Sequence, residues 1–264
     1  MSGSEVKGGF AGRIAFVDLT SGRVDVEGVD WELAEKYIGA EGIATRLIYD
    51  HVPPEVEPLD PENMIVFAAP TFAGTMVPGA SRFSIHAKSP VSGTYDSANA
   101  GVMSARMKAA GFDVLAVTGK APHPVFIHLH QGQVLIEDAR NLWGLDTHQT
   151  AHEVWGKYPE ASVVCIGPAG ECLNPFANVI GDRYMVAGQG GMGTVMGSKN
   201  LKAVLASGKL RVPVANFPRF MGEVKGAIKD VMGGTYTLYW RELGNLIQFQ
   251  PELAGRSARV YRRA

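Results

Sequence analysis

The chain has few cysteines, no long apolar run and no marked excess of charge of either sign. Its 264 residues include two cysteines, Cys165 and Cys172, too few for a disulfide framework and without zinc-site spacing. No apolar segment is long enough to cross a bilayer, and residues 1–9 contain no signal-peptide core. The formal net charge of −1 gives no general attraction to nucleic acid or to acidic membranes. We therefore expect a cytoplasmic protein that binds neither nucleic acid nor membrane.

Glycine is abundant: the chain has 32 glycines, which predicts many tight turns and close backbone contacts. Strand patterns outnumber helix patterns and do not alternate with them regularly, which predicts an α+β fold with mixed or antiparallel sheets. A composition shift near residues 213–218 predicts a main domain over 8–215 and a separate tail over 216–264. Strands are predicted at 13–19, 23–27, 64–69, 82–88, 114–118, 125–130, 133–137, 162–166 and 203–206. Helices are predicted at 31–50, with an interruption near Gly39 and Gly42, and at 103–110, 147–158 and 220–231.

Three segments rich in glycine and other small residues are candidates for ligand binding: residues 79–84, 97–101 and 187–194. Exposed peptide N–H groups in such loops can hold a phosphate, and a nearby basic side chain adds charge-assisted hydrogen bonds. The third segment contains Gly188-x-Gly190-x-x-Gly193, but Met185-Val-Ala187 is too short for a convincing preceding strand, which disfavours a dinucleotide site. The pattern alone leaves structural turns and some form of phosphate binding open.

The histidines do not form an obvious ligand set. His128 and His130 share one face of a strand without a third ligand, so we expect ordinary strand residues. His148 and His152 are four apart on a helix, but the glutamate of a zinc-protease motif is missing, so we expect them to be exposed. Both cysteines are expected to be buried apolar residues.

Three strings match one known family in order and spacing. They are SRFSIHAKSP at residues 81–90, DSANAG at 96–101 and AGQGGMGTVMGSKNLK at 187–202. With these strings, residues 8–215 resemble the amino-terminal domain of the aldehyde ferredoxin oxidoreductases. The resemblance implies a pair of similar β-rich halves, with flanking helices, that form a base under two pterin cofactors.

The resemblance also implies the cofactors. Family members carry tungsten, or sometimes molybdenum, bound by the dithiolenes of two molybdopterins whose phosphates are bridged by magnesium. A 4Fe–4S cluster passes electrons to ferredoxin. Because cofactor sulfur holds the metal, a chain poor in cysteine is compatible with this family.

Carried over position by position, the resemblance implies cofactor contacts from Arg82 and from two loops. Arg82 matches an arginine that reaches the pterin, and its planar fork suits such a contact. The backbone carbonyls of Asn99 and Val186 match magnesium ligands, in keeping with the preference of this cation for oxygen. The implied cofactor-binding loops consist of Asn99, Ala100 and Gly101, and of Val186, Ala187, Gly188, Gln189, Gly190, Gly191 and Gly193. We expect Lys199 and Lys202 to lie either at the surface or beside a pterin phosphate.

This chain departs from the family in two respects. Family members commonly have basic residues at the positions of Met185 and Gln189, so two expected positive charges are missing here. The cysteine motif that binds the cluster is also missing, and the family chain is more than twice as long. We expect a truncated, frameshifted or split protein, in which residues 216–264 begin a truncated helical domain or form a divergent tail.

The resemblance implies a component of an anaerobic oxidoreductase that converts aldehyde and water to carboxylate. Its expected partners are ferredoxin or another electron carrier, and a cluster-containing chain or the missing domains. Two alternatives stay open: a tungsten subunit of the benzoyl-coenzyme A reductase type, and a non-catalytic cofactor-binding, assembly or degenerate subunit. The sequence identifies no catalytic residue. Because the pterins would lie against missing domains, we expect this chain to expose a partly apolar face and to associate or aggregate.

Overall fold

The computed structural model describes residues 8–101 and 103–244, which belong to two compact units. The large unit ends at Ala215 and the small unit begins at Asn216. The small unit contains helices α7 (Phe217–Gly233) and α8 (Thr235–Leu243), which extend the predicted helix at 220–231 in both directions. Residues 245–264 of the predicted tail lie outside the described residues.

The first half of the large unit is a six-stranded mixed sheet with three helices. Its strand order is β2-β1-β6-β3-β4-β5, in which β1 and β6 are parallel and the other neighbours are antiparallel. The elements are β1 (Arg13–Asp18), β2 (Arg23–Gly28), α1 (Trp31–Tyr37), α2 (Ala40–His51), β3 (Ile65–Ala68), β4 (Phe83–Lys88), β5 (Tyr95–Ala100), α3 (Met103–Ala110) and β6 (Val114–Thr118).

The second half repeats this topology. Its strand order is β8-β7-β12-β9-β10-β11. The last strand of this half, β12, again lies beside the first, β7, and the two are parallel. The predicted pair of similar β-rich halves is therefore confirmed. The elements are β7 (Val125–His130), β8 (Gln133–Asp138), α4 (Thr147–Lys157), β9 (Ser162–Cys165), α5 (Pro168–Glu171), β10 (Val179–Gly181), β11 (Met185–Ala187), α6 (Met192–Ser198) and β12 (Leu201–Ser207).

Local sequence signals explain several element boundaries. The helix predicted over residues 31–50, with an interruption near Gly39, is divided there into two helices, because Ile38 and Gly39 both have positive φ angles, 69° and 149°. Asp30 caps α1 by accepting the Glu32 amide. At α4, Asp146 and Gln149 form a reciprocal capping box.

The largest core lies between the two sheets and includes α3 and α6. Helix α3 packs against strands of the second sheet, and α6 packs against β3 and β4 of the first. Met103, Met107, Val195 and Met196 from these helices are fully buried. Each half therefore contributes a helix to the opposite sheet. The outer faces of the sheets have their own cores, under α1 and α2 in the first half and under α4 in the second.

Two segments that were predicted as loops contain regular structure. Residues 95–100 form strand β5, and β11 and α6 enclose the glycine loop at residues 188–191. The small and polar residues of β5 have low strand propensity, and β11 has only three residues, so neither gave a periodic pattern. The strand–loop–helix arrangement is still not a dinucleotide fold, because β11 is an antiparallel edge strand.

Candidate cofactor-binding surface

Strands β5 and β11 are the outermost strands of their sheets, and they lie beside each other. If Gly101 carried a Cβ atom, that atom would lie 3.3 Å from the Cβ of Met185. An edge strand leaves alternate peptide groups unpaired within its sheet. The two loops that the sequence identified are therefore brought together. We call residues 95–101 and 184–193, with Arg82, the paired-edge surface.

Arg82 lies at the β5 side of this surface. It precedes Phe83, which pairs with Ala100, while Ser84 pairs with Asn99. The Arg82 and Asn99 side chains are exposed, and Ala100 and Gly101 are buried. Within the described part of the chain, the Arg82 guanidinium has no hydrogen-bond or ion-pair partner, so it is free to bind an anion.

The β11 side of the surface depends on glycine. Gly190 and Gly191 have φ angles of 67° and 65°, in the left-handed region that favours glycine. A Cβ atom on Gly191 would lie 2.3 Å from the carbonyl oxygen of Pro175, and one on Gly193 would lie 2.6 Å from that of Asn178. Val186, Gly188 and Gln189 are exposed, whereas Ala187 is buried. Backbone, rather than long side chains, therefore forms most of this loop.

A cleft of about 490 Å³ lies against this loop. A Cβ atom on Gly190 would lie 3.1 Å from Oδ2 of Asp96, which places a carboxylate directly beside the glycine loop. None of the residues that line the cleft is basic and one, Asp96, is acidic. The cleft therefore lacks the positive charge that Arg82 carries. The lining residues are Val91, Asp96, Phe176, Asn178, Gly188, Gln189, Gly190 and Gly191.

The paired-edge surface and its rim are partly apolar. Phe176 and Tyr184 are 73% and 74% exposed, and Met185 and Val186 are 43% and 47% exposed. Large exposed apolar patches commonly mark surfaces that contact another domain or ligand.

A network of side-chain hydrogen bonds connects β5 to α2 and β4. The Tyr95 phenol oxygen lies 2.7 Å from Thr45 Oγ1 in α2 and 2.7 Å from His86 Nδ1 in β4. His86 Nε2 then lies 2.7 Å from Ser84 Oγ. Burial lowers the pKa of His86 to about 4, so the ring is neutral at pH 7. The sequence predictions did not include these hydrogen bonds. The alternation of Ser84 and His86 along a buried strand was the available signal.

The two lysines near the end of the third string do not reach this surface. Lys199 is fully buried and donates to the carbonyl oxygens of Pro61, at 2.9 Å, and Gly119, at 3.3 Å. Lys202 is also fully buried, and it donates to the Leu145 carbonyl and pairs with Glu171. The expectation that they lie at the surface or beside a phosphate was wrong, because Lys199 follows the buried helix α6 and Lys202 lies in the central strand β12.

The other candidate residues fall in different places. His148 and His152 are exposed, as predicted. Cys165 is buried, and burial raises the pKa of its thiol to about 12, whereas Cys172 is exposed, contrary to prediction. Across residues 8–101 and 103–244, no group of three or more His, Cys, Asp or Glu side chains could hold a metal ion. In the same residues, no helix is long and apolar enough to span a bilayer.

This fold and surface agree with sequence comparison. Residues 14–208 match the model of the family described as aldehyde ferredoxin oxidoreductase, N-terminal domain. The chain belongs to this family.

Individual relatives include tungsten enzymes. The tungsten-containing aldehyde ferredoxin oxidoreductase of Pyrococcus furiosus is 40% identical over 224 residues, which cover 83% of this chain and 37% of that protein. The WOR-like subunit of an aliphatic sulfonate oxidoreductase from the same organism is 30% identical, covering 91% of this chain and 39% of the relative. The chain thus spans well under half the length of these relatives.

Among solved structures, the BamBC active-site complex of benzoyl coenzyme A reductase contains a similar chain. The TM-score is 0.83 with 32% sequence identity, covering 86% of this chain and 35% of that one. The structural likeness therefore covers most of this chain.

Proposed function

We propose that residues 8–215 form the base of a tungsten or molybdenum bis-molybdopterin site in an oxidoreductase. The observation that carries this proposal is the meeting of β5 and β11 at one surface, beside the unpaired guanidinium of Arg82. The Pyrococcus furiosus relative is a tungsten-containing aldehyde ferredoxin oxidoreductase. Residues 216–264 would then begin the next, helical part of the family fold.

The residues of the paired-edge surface fit such a cofactor. Arg82 would bind a pterin or its phosphate through its planar fork. The carbonyl oxygens of Asn99 and Val186 would bind magnesium, which prefers oxygen ligands. The remaining contacts would come from the peptide groups of 100–101 and 187–193, where glycine leaves the backbone accessible. When bound, the cofactor supplies a redox metal held by its own sulfur atoms, so this chain needs no cysteine ligand.

The proposed overall reaction converts an aldehyde and water to a carboxylate, with electrons passing to ferredoxin or another carrier. A cubane 4Fe–4S cluster needs about four thiolates. This sequence contains two cysteines. We therefore propose that the cluster is bound by a partner chain or by further domains, and that this chain alone is inactive. The partly apolar paired-edge surface would be covered in that assembly.

Two alternatives have specific support. The TM-score of 0.83 to a benzoyl coenzyme A reductase complex favours a tungsten subunit of that type. The neutral side chains of Met185 and Gln189, and the Asp96 carboxylate beside Gly190, instead favour a subunit that binds the cofactor weakly or serves only in assembly.

Metal and pterin analysis of anaerobically purified protein tests the proposal. The chain is expressed with tungstate in an anaerobic host that makes molybdopterin, and tungsten, molybdenum, magnesium and pterin are then measured. We expect about two pterins and one tungsten per chain, and a clear loss of both in Arg82→Ala. Arg140→Ala is the matched control, because Arg140 is exposed and pairs only locally with Asp138. Wild-type protein without pterin would refute the proposal.

Asn99→Ala distinguishes a backbone role from a side-chain role. Because the proposed ligand is the carbonyl oxygen, Asn99→Ala should keep its magnesium and pterin content. Loss of both, with an unchanged melting temperature, would transfer the role to the amide side chain.

A further inference from the structure

A second polar cluster lies on the side of the second sheet away from β11. It is formed by β7, β8, β12 and the carboxyl end of α4. Its members are His128, His130, Glu137, Lys157, Tyr158 and Ser207. The paired-edge surface uses none of these residues, and the cluster has no role in the proposed cofactor site.

Ser207 lies at the centre of this cluster. Its Oγ is 2.8 Å from Nε2 of His128 and 2.8 Å from Nδ1 of His130. A hydroxyl group has one proton, so it can donate to only one of these rings and must accept from the other. One imidazole therefore accepts the Ser207 proton in a hydrogen bond. The other donates to Oγ and would stabilise negative charge that develops there.

Glu137 indicates which ring is the acceptor. The Nδ1 atom of His128 is buried and has no hydrogen-bond partner in the described residues, and its nearest ionic neighbour is Glu137 Oε1 at 3.9 Å. The Glu137 carboxylate is fixed by Lys157 Nζ at 2.6 Å and by the Tyr158 hydroxyl at 2.6 and 2.8 Å. A carboxylate on this side favours the tautomer with its proton on Nδ1. Nε2 of His128 is then free to accept from Ser207.

We propose that Ser207 is a nucleophilic serine that accepts acyl groups from small activated esters, with His128 as its base. The order of serine Oγ, histidine Nε2, histidine Nδ1 and carboxylate is that of activated serine nucleophiles, with Nδ1 and the carboxylate oxygen 3.9 Å apart here. Ser207 keeps 8% of its surface exposed and His130 beside it is partly buried, and the proposal requires that a small reagent reach Oγ.

The step conserves atoms and electrons. Ser207 Oγ attacks the ester carbonyl carbon while its proton passes to Nε2 of His128. The bond from the carbonyl carbon to the alcohol oxygen breaks, and the proton on Nε2 moves to the departing alkoxide. The products are an acylated Ser207 and a free alcohol, with no oxidant, metal or cofactor involved.

Covalent labelling of the purified, folded chain tests this proposal. The protein is treated with p-nitrophenyl acetate and, separately, with a fluorophosphonate probe, and the modified residue is located by peptide mass spectrometry. We expect about one label per chain, on Ser207. In His128→Gln the labelling rate should fall by about 100-fold, which is the usual contribution of a general base.

Two comparisons separate reactivity from folding. Ser162 is a matched control because it is buried and hydrogen-bonds to Asp182 rather than to a histidine, so Ser162→Ala should label at the wild-type rate. Variants are compared only where circular dichroism shows wild-type structure; Glu137→Gln serves as a second variant if His128→Gln unfolds. No label on Ser207 in the folded wild type, or an equal rate after loss of His128 or Glu137, would overturn the proposal.

Discussion

The two halves of the large unit share one topology but differ in the sign of the charge that they carry at comparable places. At the start of the central strand of each half there is a buried ion pair, with the signs reversed. Asp113, just before β6, pairs with Lys108 of α3, and Lys202 in β12 pairs with Glu171 of α5. Each half therefore has a paired charge near the start of its central strand, acidic in one half and basic in the other.

The same two halves differ more at the paired-edge surface. The β5 side has an exposed arginine, whereas the β11 side has a four-residue glycine loop next to the Asp96 carboxylate. Backbone geometry is thus retained on both sides, but a basic group is present on only one. If both sides hold pterin phosphates, as we propose, they hold them with unequal strength.

The largest expected effect comes from breaking the buried ion pairs. Glu171→Ala and Asp113→Ala should each lower the free energy of unfolding by about 3–5 kcal/mol, because each leaves a lysine charge buried without its partner. Urea unfolding measures both, with Glu160→Ala as the exposed control. A loss below about 1 kcal/mol in only one variant would show that the halves do not share a requirement for the paired charge.

The next effect is a pH dependence that arises from His86. Its pKa is about 4 in the folded protein, against about 6.5 in an unfolded chain, so only the unfolded chain gains a proton between these values. The free energy of unfolding should therefore fall as pH drops from about 6.5 to 4, by about 3 kcal/mol from this group. Urea titrations across this range should show a shallower fall in His86→Gln than in the wild type or in the exposed control His148→Gln. Equal slopes would contradict the prediction.

Restoring basic residues on the β11 side tests the charge difference directly. Met185→Arg and Gln189→Arg should each strengthen cofactor retention by about 10- to 100-fold, since a hydrogen bond to a charged group contributes about 1.5–3 kcal/mol. Retention is measured as pterin remaining after dialysis. Tyr49→Arg, an exposed site outside the paired-edge surface, controls for net charge. Unchanged retention would mean that this side does not bind phosphate.

The smallest effect concerns the contact between the two edges. Gly101→Ala should cost about 1–2 kcal/mol, because φ is 45° and a new Cβ would press on Met185. Gly79 is a matched control, since its φ is 72° but open space surrounds it. Thermal melts should show the greater loss for Gly101→Ala. Equal losses would indicate that backbone strain alone accounts for the effect.

Much of this architecture was predictable from local patterns. The hairpins β1–β2 and β7–β8, the buried strand β3 and helix α4 all have strong periodicity or capping signals, and the structure places them within a residue or so of the prediction. The identity of the two proposed ligand-binding loops came from family strings, not from periodicity. Their proximity depends on which strands become sheet edges, which is a property of the whole topology.

The errors also have physical causes. Lys199 and Lys202 look like surface residues in sequence, because a buried lysine is rare unless it is paired. Their partners, the Pro61 and Leu145 carbonyls and Glu171, are far away along the chain. The Ser207 cluster was missed for the same reason: His128 and His130 are neighbours in sequence, but Ser207 is 79 and 77 residues away from them.

The exchange of α3 and α6 between the sheets has a consequence for how the protein can form. Neither half can cover the inner face of its own sheet alone, because a helix that packs on that face belongs to the other half. An isolated repeat would leave Phe67 or Val204, both fully buried here, without the helix that covers that side of its sheet. Separately expressed repeats should therefore stay unfolded until mixed.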